Sequence, residues 1–212
     1  MKAIIHRALL LAWFTCTASL ATYAASRAPV VLLATRDVEI EAVRLALGAG
    51  EPVTNPAAGK AVVSFSTDVT EVHAVRCGAG LVNAVMATQL MIDRSRPSVV
   101  VSVGLCAAVD DALNIGDLLL VDTFDRHDVG THTDAGLVHG TAWYRKTRLT
   151  ASDLVPDWTT FAADLDTRLG TPIPRVCLAT GDSFIRSSLK RAWIRQKLGA
   201  HAVDMSGAGI AF

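Results

Sequence analysis

Four apolar runs in this sequence end in residues able to do chemistry. PVVLLA (29–34) is followed by Thr35, Arg36, Asp37 and Glu39, and EVHAVRC (71–77) by Gly78-Ala79-Gly80. SVVVSVG (98–104) is followed by Leu105, Cys106 and Ala107, and RVCLAT (175–180) by GDSFIRSS, which holds Phe184, Ile185 and Arg186. A carboxylate such as Glu39 can orient or deprotonate a water, glycines let backbone amides approach a ligand, and an aromatic–aliphatic pair can cover a flat heterocycle. Each also has a plainer use. An acid in the first turn of a helix complements the helix dipole, glycines permit tight packing, and Phe184-Ile185 can anchor its own loop to the core. Cys77 to Gly80 lacks the third glycine and the later acid of a dinucleotide fingerprint, which disfavours an oxidoreductase.

The elements that must position these residues alternate. PVVLLA is a continuous apolar run suited to a strand buried on both faces, and DVEIEAVRLAL (37–47) repeats its apolar residues at helical spacing. GEPVTNPAAGK (50–60) reads as a turn-rich connection, 61–67 and 71–77 as strands, 81–95 as a helix and 98–104 as the most apolar strand. Residues 116–124 read as another strand, 130–144 as a surface loop, 154–169 as a helix, 175–181 as a strand and 187–199 as a helix ending on Gly199. Strands alternating with helices predict an α/β fold, a three-layer αβα sandwich around a mostly parallel mixed sheet. Ligands in such sheets bind at the carboxyl ends of the strands, where the four clusters lie.

Composition narrows the classes. The 212 residues are 51% hydrophobic and carry 20 basic against 20 acidic side chains, so no nucleic-acid surface is expected. A basic start, MKAIIHR, an uncharged apolar run and the small residues around Thr22-Tyr23-Ala24 read as a cleaved secretory signal over 1–24. The expectation is a periplasmic or secreted protein with one domain from residue 25, the rival being an uncleaved anchor. Removing the signal leaves Cys77, Cys106 and Cys177, an odd number, each at the end of an apolar run. They read as small buried hydrophobes, with no disulfide expected. There is no CxxC and the histidines lack ligand spacing, so no metal and no cofactor are expected.

The order of these segments resembles the purine nucleoside phosphorylase superfamily, and within it the 5′-methylthioadenosine/S-adenosylhomocysteine nucleosidases. The matching pieces are ATRDVEIEAV, RCGAGLVNAVMATQ, VVVSVGLCAAVDDALNIGDLLLVD followed by His127-Asp128, ATGDSFIRSS and AVDMSGAGIAF. The resemblance implies hydrolysis of the N-glycosidic bond of a purine nucleoside, with Glu39 positioning the water and Glu41 the runner-up. It implies that Leu105, Cys106 and Ala107 line sugar and base, that Phe184 and Ile185 cover the adenine, and that Asp204, Met205 and Ser206 lie at the ribose. It also implies a homodimer, with His127 and Asp128 near the interface or simply a polar loop pair. Arg36 keeps a phosphate-dependent phosphorylase open as an alternative, and a non-catalytic nucleoside-binding or storage protein is the other. Trp143 and Tyr144 fit a loop anchor better than a pocket lining.

Two departures stand out. The family's Glu-Met-Glu is Asp204-Met205-Ser206 here, and a serine cannot hold two ribose hydroxyls as a carboxylate does. Losing that charge-assisted pair costs about 2 to 4 kcal/mol of binding, roughly 30- to 1000-fold. The sequence also stops inside a helix, before the strand on which the family carries the aspartate that protonates the purine. The expectation is therefore a fold lacking its final strand and helix, with activity absent or impaired.

Overall fold

The computed structural model describes residues 28–48, 53–57, 60–67, 70–140 and 148–212. The expected signal segment and the pair Trp143 and Tyr144 lie outside the described residues. Contacts group the chain into two compact units, residues up to Gly104 with Thr159–Pro172, and Leu105–Trp158 with Ile173–Phe212.

In the first unit, β1 (Val30–Ala34), β2 (Val53–Ala57), β3 (Lys60–Ser66), β4 (Glu71–Arg76) and β5 (Val99–Val103) hydrogen-bond in the order β2-β3-β4-β1-β5. β1 runs parallel to both β4 and β5, and all five of its residues are buried, as the unbroken VVLLA run requires. Helices α1 (Asp37–Ala46) and α2 (Leu81–Ser95) both pack on β1. Val30, Leu32 and Ala34 share a core with Ile40, Val43 and Ala46 of α1, because alternate strand residues share a face and helix positions three or four apart share another.

The second unit holds β6 (Ala107–Ala108), β7 (Leu120–Arg126), β10 (Arg148–Thr150), β11 (Arg175–Thr180) and β12 (Ala202–Asp204), in the order β10-β7-β11-β12-β6. A separate hairpin is made by β8 (Gly130–Thr133) and β9 (Gly136–His139). β11 is parallel to β7 and to β12, and five of its six residues are buried. Cys177 and Ala179 of β11 pack with Val109, Val203 and Ile194. Ile194 belongs to α5 (Ser188–Leu198), whose first turn is capped by Ser187 Oγ accepting from Lys190 N at 3.2 Å and whose end is Gly199 in the left-handed region at φ 62°. The last helix is α6 (Gly207–Ala211).

The first sheet is thus parallel on both sides of β1 and antiparallel from β4 through β3 to β2, and the second is parallel on both sides of β11 and antiparallel at its two edges, which is the α/β class with mixed sheets. Several boundaries differ from the sequence reading. The connection 50–60 contains β2, an edge strand, where Pro56 is tolerated. The loop 130–144 contains the β8–β9 hairpin, and the strand read at 116–124 runs instead from Leu120 to Arg126. The helix read at 154–169 is two helices, α3 (Ala151–Leu154) and α4 (Trp158–Leu169). Pro156 cannot continue the first, and Asp157 takes a positive φ of 59° between them.

Candidate functional site

Glu39 stands at the third position of α1 and is buried, with five donors on its carboxylate. Oε2 accepts from Thr35 N at 2.9 Å, Thr35 Oγ1 at 3.1 Å and Arg36 N at 3.0 Å. Oε1 accepts from Arg36 Nε at 3.1 Å and Nη2 at 3.0 Å. The carboxylate caps the helix and is ion-paired as well. Glu41 is exposed and pairs with Arg44 at 2.8 Å, which holds its carboxyl below the usual range, as a surface residue would.

The turn after β4 uses its polar groups internally. Gly78 and Gly80 have φ of 82° and 101°, the Asn83 amide donates to Ala79 O at 2.8 Å, and Lys60 Nζ donates to Cys77 O and Asn83 Oδ1. This arrangement fits the packing use of the glycines.

In the second unit the carboxyl ends of β7, β11 and β12 bring most of the expected ligand residues together. Asp204 ends β12, and its Oδ1 accepts from Thr180 Oγ1 at 2.6 Å, at the end of β11. Oδ2 accepts from Ser206 N at 3.0 Å and Gly207 N at 2.7 Å, while Ala208 N donates to Thr180 Oγ1 at 2.9 Å. Burial pushes the Asp204 carboxyl up, against the opposing pull of these hydrogen bonds. Its lone pairs organise the start of α6, so its place in the fold is structural. Met205 is half-buried, and Ser206 is buried with no hydrogen-bond partner on its Oγ.

The loop after β11 begins at Gly181, where a Cβ would lie 2.4 Å from His127 Cε1 and 2.5 Å from its Nε2. Only glycine lets the loop pass that ring. Asp182 N donates to Asp128 Oδ2 at 2.9 Å, which ties the loop to the end of β7. Of the expected covering pair, Ile185 packs against the core of the second unit, and Phe184 stands 85% exposed. One residue anchors the loop and the other is free to meet a ligand. Leu105, Cys106 and Ala107 are all exposed, with Val203 of β12 pairing with Ala107.

The three described cysteines are free thiols; Cys77 and Cys177 are buried, but Cys106 is exposed, contrary to its reading as a buried hydrophobe. Burial pushes the Cys177 thiol up to about 11, so it is inert. Among the described residues no group of three His, Cys, Asp or Glu side chains is placed to hold a metal ion.

Sequence reasoning gave His127 no place in the site. It follows β7 directly, is 1% exposed, and both ring nitrogens lack a hydrogen-bond partner. Burial, and more weakly Lys190, depress its affinity for a proton, while Asp128 and Asp204 oppose them. Among the described residues, the buried side-chain nitrogens and oxygens without a partner belong to Arg126, His127 and Ser206, at the ends of β7 and β12. The available signal was a histidine directly after β7 and beside Asp128.

Comparison with known proteins bears on this geometry. Residues 29–212 match the family model described as the phosphorylase superfamily. The 5′-methylthioadenosine/S-adenosylhomocysteine nucleosidase of Treponema pallidum is 32% identical over 194 residues, covering 82% of this chain and 70% of the relative. The protein of the same name from Geobacillus thermodenitrificans is 34% identical over 152 residues, covering 69% and 63%. The chain thus spans about two thirds of these relatives' length. Among solved structures, the nucleosidase of Campylobacter jejuni matches with TM-score 0.75 at 21% identity, over 87% of this chain and 78% of the other. A futalosine hydrolase mutant of Helicobacter pylori matches with TM-score 0.76 at 19% identity, over 87% and 82%. These likenesses show a shared fold.

Proposed function

The chain belongs to the phosphorylase superfamily, and on that premise we propose that it is a purine nucleosidase acting by hydrolysis on nucleosides of the methylthioadenosine or adenosylhomocysteine type. The observation that carries the reading is the exposed Phe184 on a loop fixed between Gly181 and a half-buried Ile185 packed on the core, at the strand ends where α/β sheets take ligands. A flat base can lie against that ring, with Leu105, Cys106 and Ala107 as further contacts and Ser206 toward the sugar. Glu39 is the water-positioning carboxylate in this reading, and Asp204 supports the backbone rather than the substrate. Cleavage passes through a ribosyl cation, so the leaving purine must be protonated. The resemblance assigns that step to an aspartate of the family other than Asp204.

A second reading, a nucleoside-binding protein without turnover, is favoured by Ser206, which replaces a carboxylate in the family pattern. The reading also carries export through the segment 1–24 and a homodimer, checked by N-terminal sequencing of the mature protein and by light scattering. The test of function is adenine release from methylthioadenosine with and without phosphate. Any release is expected to be slow and to need no phosphate. Strict phosphate dependence means a phosphorylase, and binding without release means the second reading.

A further inference from the structure

The two oxygens of Glu39 are held in different ways. The donors to Oε2 are Thr35 N, Thr35 Oγ1 and Arg36 N, two of them main-chain groups and the third a short side chain. Both donors to Oε1 come from one long side chain, the guanidinium of Arg36. A carboxylate offers about four lone-pair sites, and five donors already occupy this one. The Oε2 donors hold the carboxylate in place by themselves, so what the guanidinium adds is cover over Oε1.

Exposure separates the partners: the Arg36 side chain is 53% exposed and that of Glu39 is 8% exposed. The neighbouring acid, Asp37, is paired with Arg76 at 3.3 Å. A water oriented by Glu39 has to donate to Oε1, because Oε2 is taken three times over. Guanidinium and water therefore compete for the same oxygen. We propose that Arg36 is a latch on Glu39, an autoinhibitory contact that must swing off Oε1 into solvent before the carboxylate can take up water. The inference rests on the reading of Glu39 as the water-positioning group. Arg36 acts only through Glu39.

A half-exposed ion pair is weak and screened by salt, so the latch has a signature that a helix cap lacks. Arg36→Met keeps the Arg36 main-chain bond to Oε2 and removes the guanidinium. Its kcat is expected to rise about 3-fold with KM unchanged, the scale of opening a half-exposed pair. Native kcat should climb toward the variant's value between about 0.02 and about 0.5 M KCl, while the variant stays flat. Arg36→Lys, with a single point charge, should keep part of the salt response. A kcat for Arg36→Met at or below the native value, or an equal salt response in both proteins, overturns the latch. Glu39→Gln separates the layers of the argument: if it turns over substrate, the role of Glu39 itself is wrong. If it is inactive while Arg36→Met matches native, only the latch fails. A readout independent of turnover is carbodiimide-driven amine labelling of Glu39, followed by mass spectrometry. Labelling about 3-fold faster in Arg36→Met is expected, and equal rates sink the latch.

Discussion

Glu39 and Asp204 are carboxylates that each stand where a strand gives way to a helix, one in each unit, and their surroundings are opposite. Glu39 has a cation beside it, and its donors include two main-chain amides of its own turn. Asp204 receives only neutral donors, from Thr180, Ser206 and Gly207, and its carboxyl is pushed up by burial. Near Asp204 lie His127 and Ser206, whose side-chain polar atoms lack partners. The first unit places its acid in an over-satisfied setting. The second leaves polar groups unsatisfied at its strand ends, as sites that trade stability for contact with a ligand do.

The comparison is broken most severely by Asp204→Ala. Three donors lose their acceptor, and a loss of about 3 kcal/mol is expected in chemical denaturation. Next comes Gly181→Ala, whose new methyl overlaps the buried His127 ring. A cost of about 1 to 3 kcal/mol is expected, with weaker adenine binding because the Phe184 loop must shift. Glu39→Gln should cost about 1 kcal/mol through the helix start, measured by thermal melting, and is expected to abolish turnover while sparing adenine binding. A Glu39→Gln protein that loses binding too would place the carboxylate against the base instead.

A subtler contrast is in pH. An unfolded histidine titrates near ~6.5, and burial depresses His127 below that in the folded protein. Below ~6.5 the unfolded chain binds the proton first, so the stability due to a neutral His127 is complete above ~6.5 and is lost as pH falls toward the folded value. The slope is at most about 1.4 kcal/mol per pH unit. Asp204, raised, acts in the opposite sense: its contribution is present in acid and is lost as pH rises through its folded value. Melting temperature against pH should therefore fall between about 7 and about 5 for the native protein and less for His127→Gln. Equal profiles would remove His127 as the cause.

How far the sequence foretold these arrangements depends on how local each signal was. The helix at 81–95 and strand β1 were legible, because an amphipathic repeat and a fully apolar run are written in the residues themselves. The β8–β9 hairpin was not, since GTHT and GLVH carry little apolar alternation and only Asp134-Ala135-Gly136 marks the turn, with Gly136 at φ 111°. β2 was hidden by Asn55 and Pro56, which an edge strand tolerates. Phe184 and Ile185 were legible as a pair out of keeping with a turn, but their division into an exposed ring and an anchor depends on tertiary packing. His127 was poorly legible as a site residue, because its ring lies close against Gly181, which is distant in sequence.

The most direct test is calorimetric titration of adenine into the native protein and into Phe184→Ala. Base–aromatic stacking is typically worth about 1 to 3 kcal/mol, so saturable binding to the native protein and a loss of about ten-fold or more in the variant are predicted. Equal affinity in the two proteins, or no heat of binding in the native one, would contradict a purine site beneath Phe184.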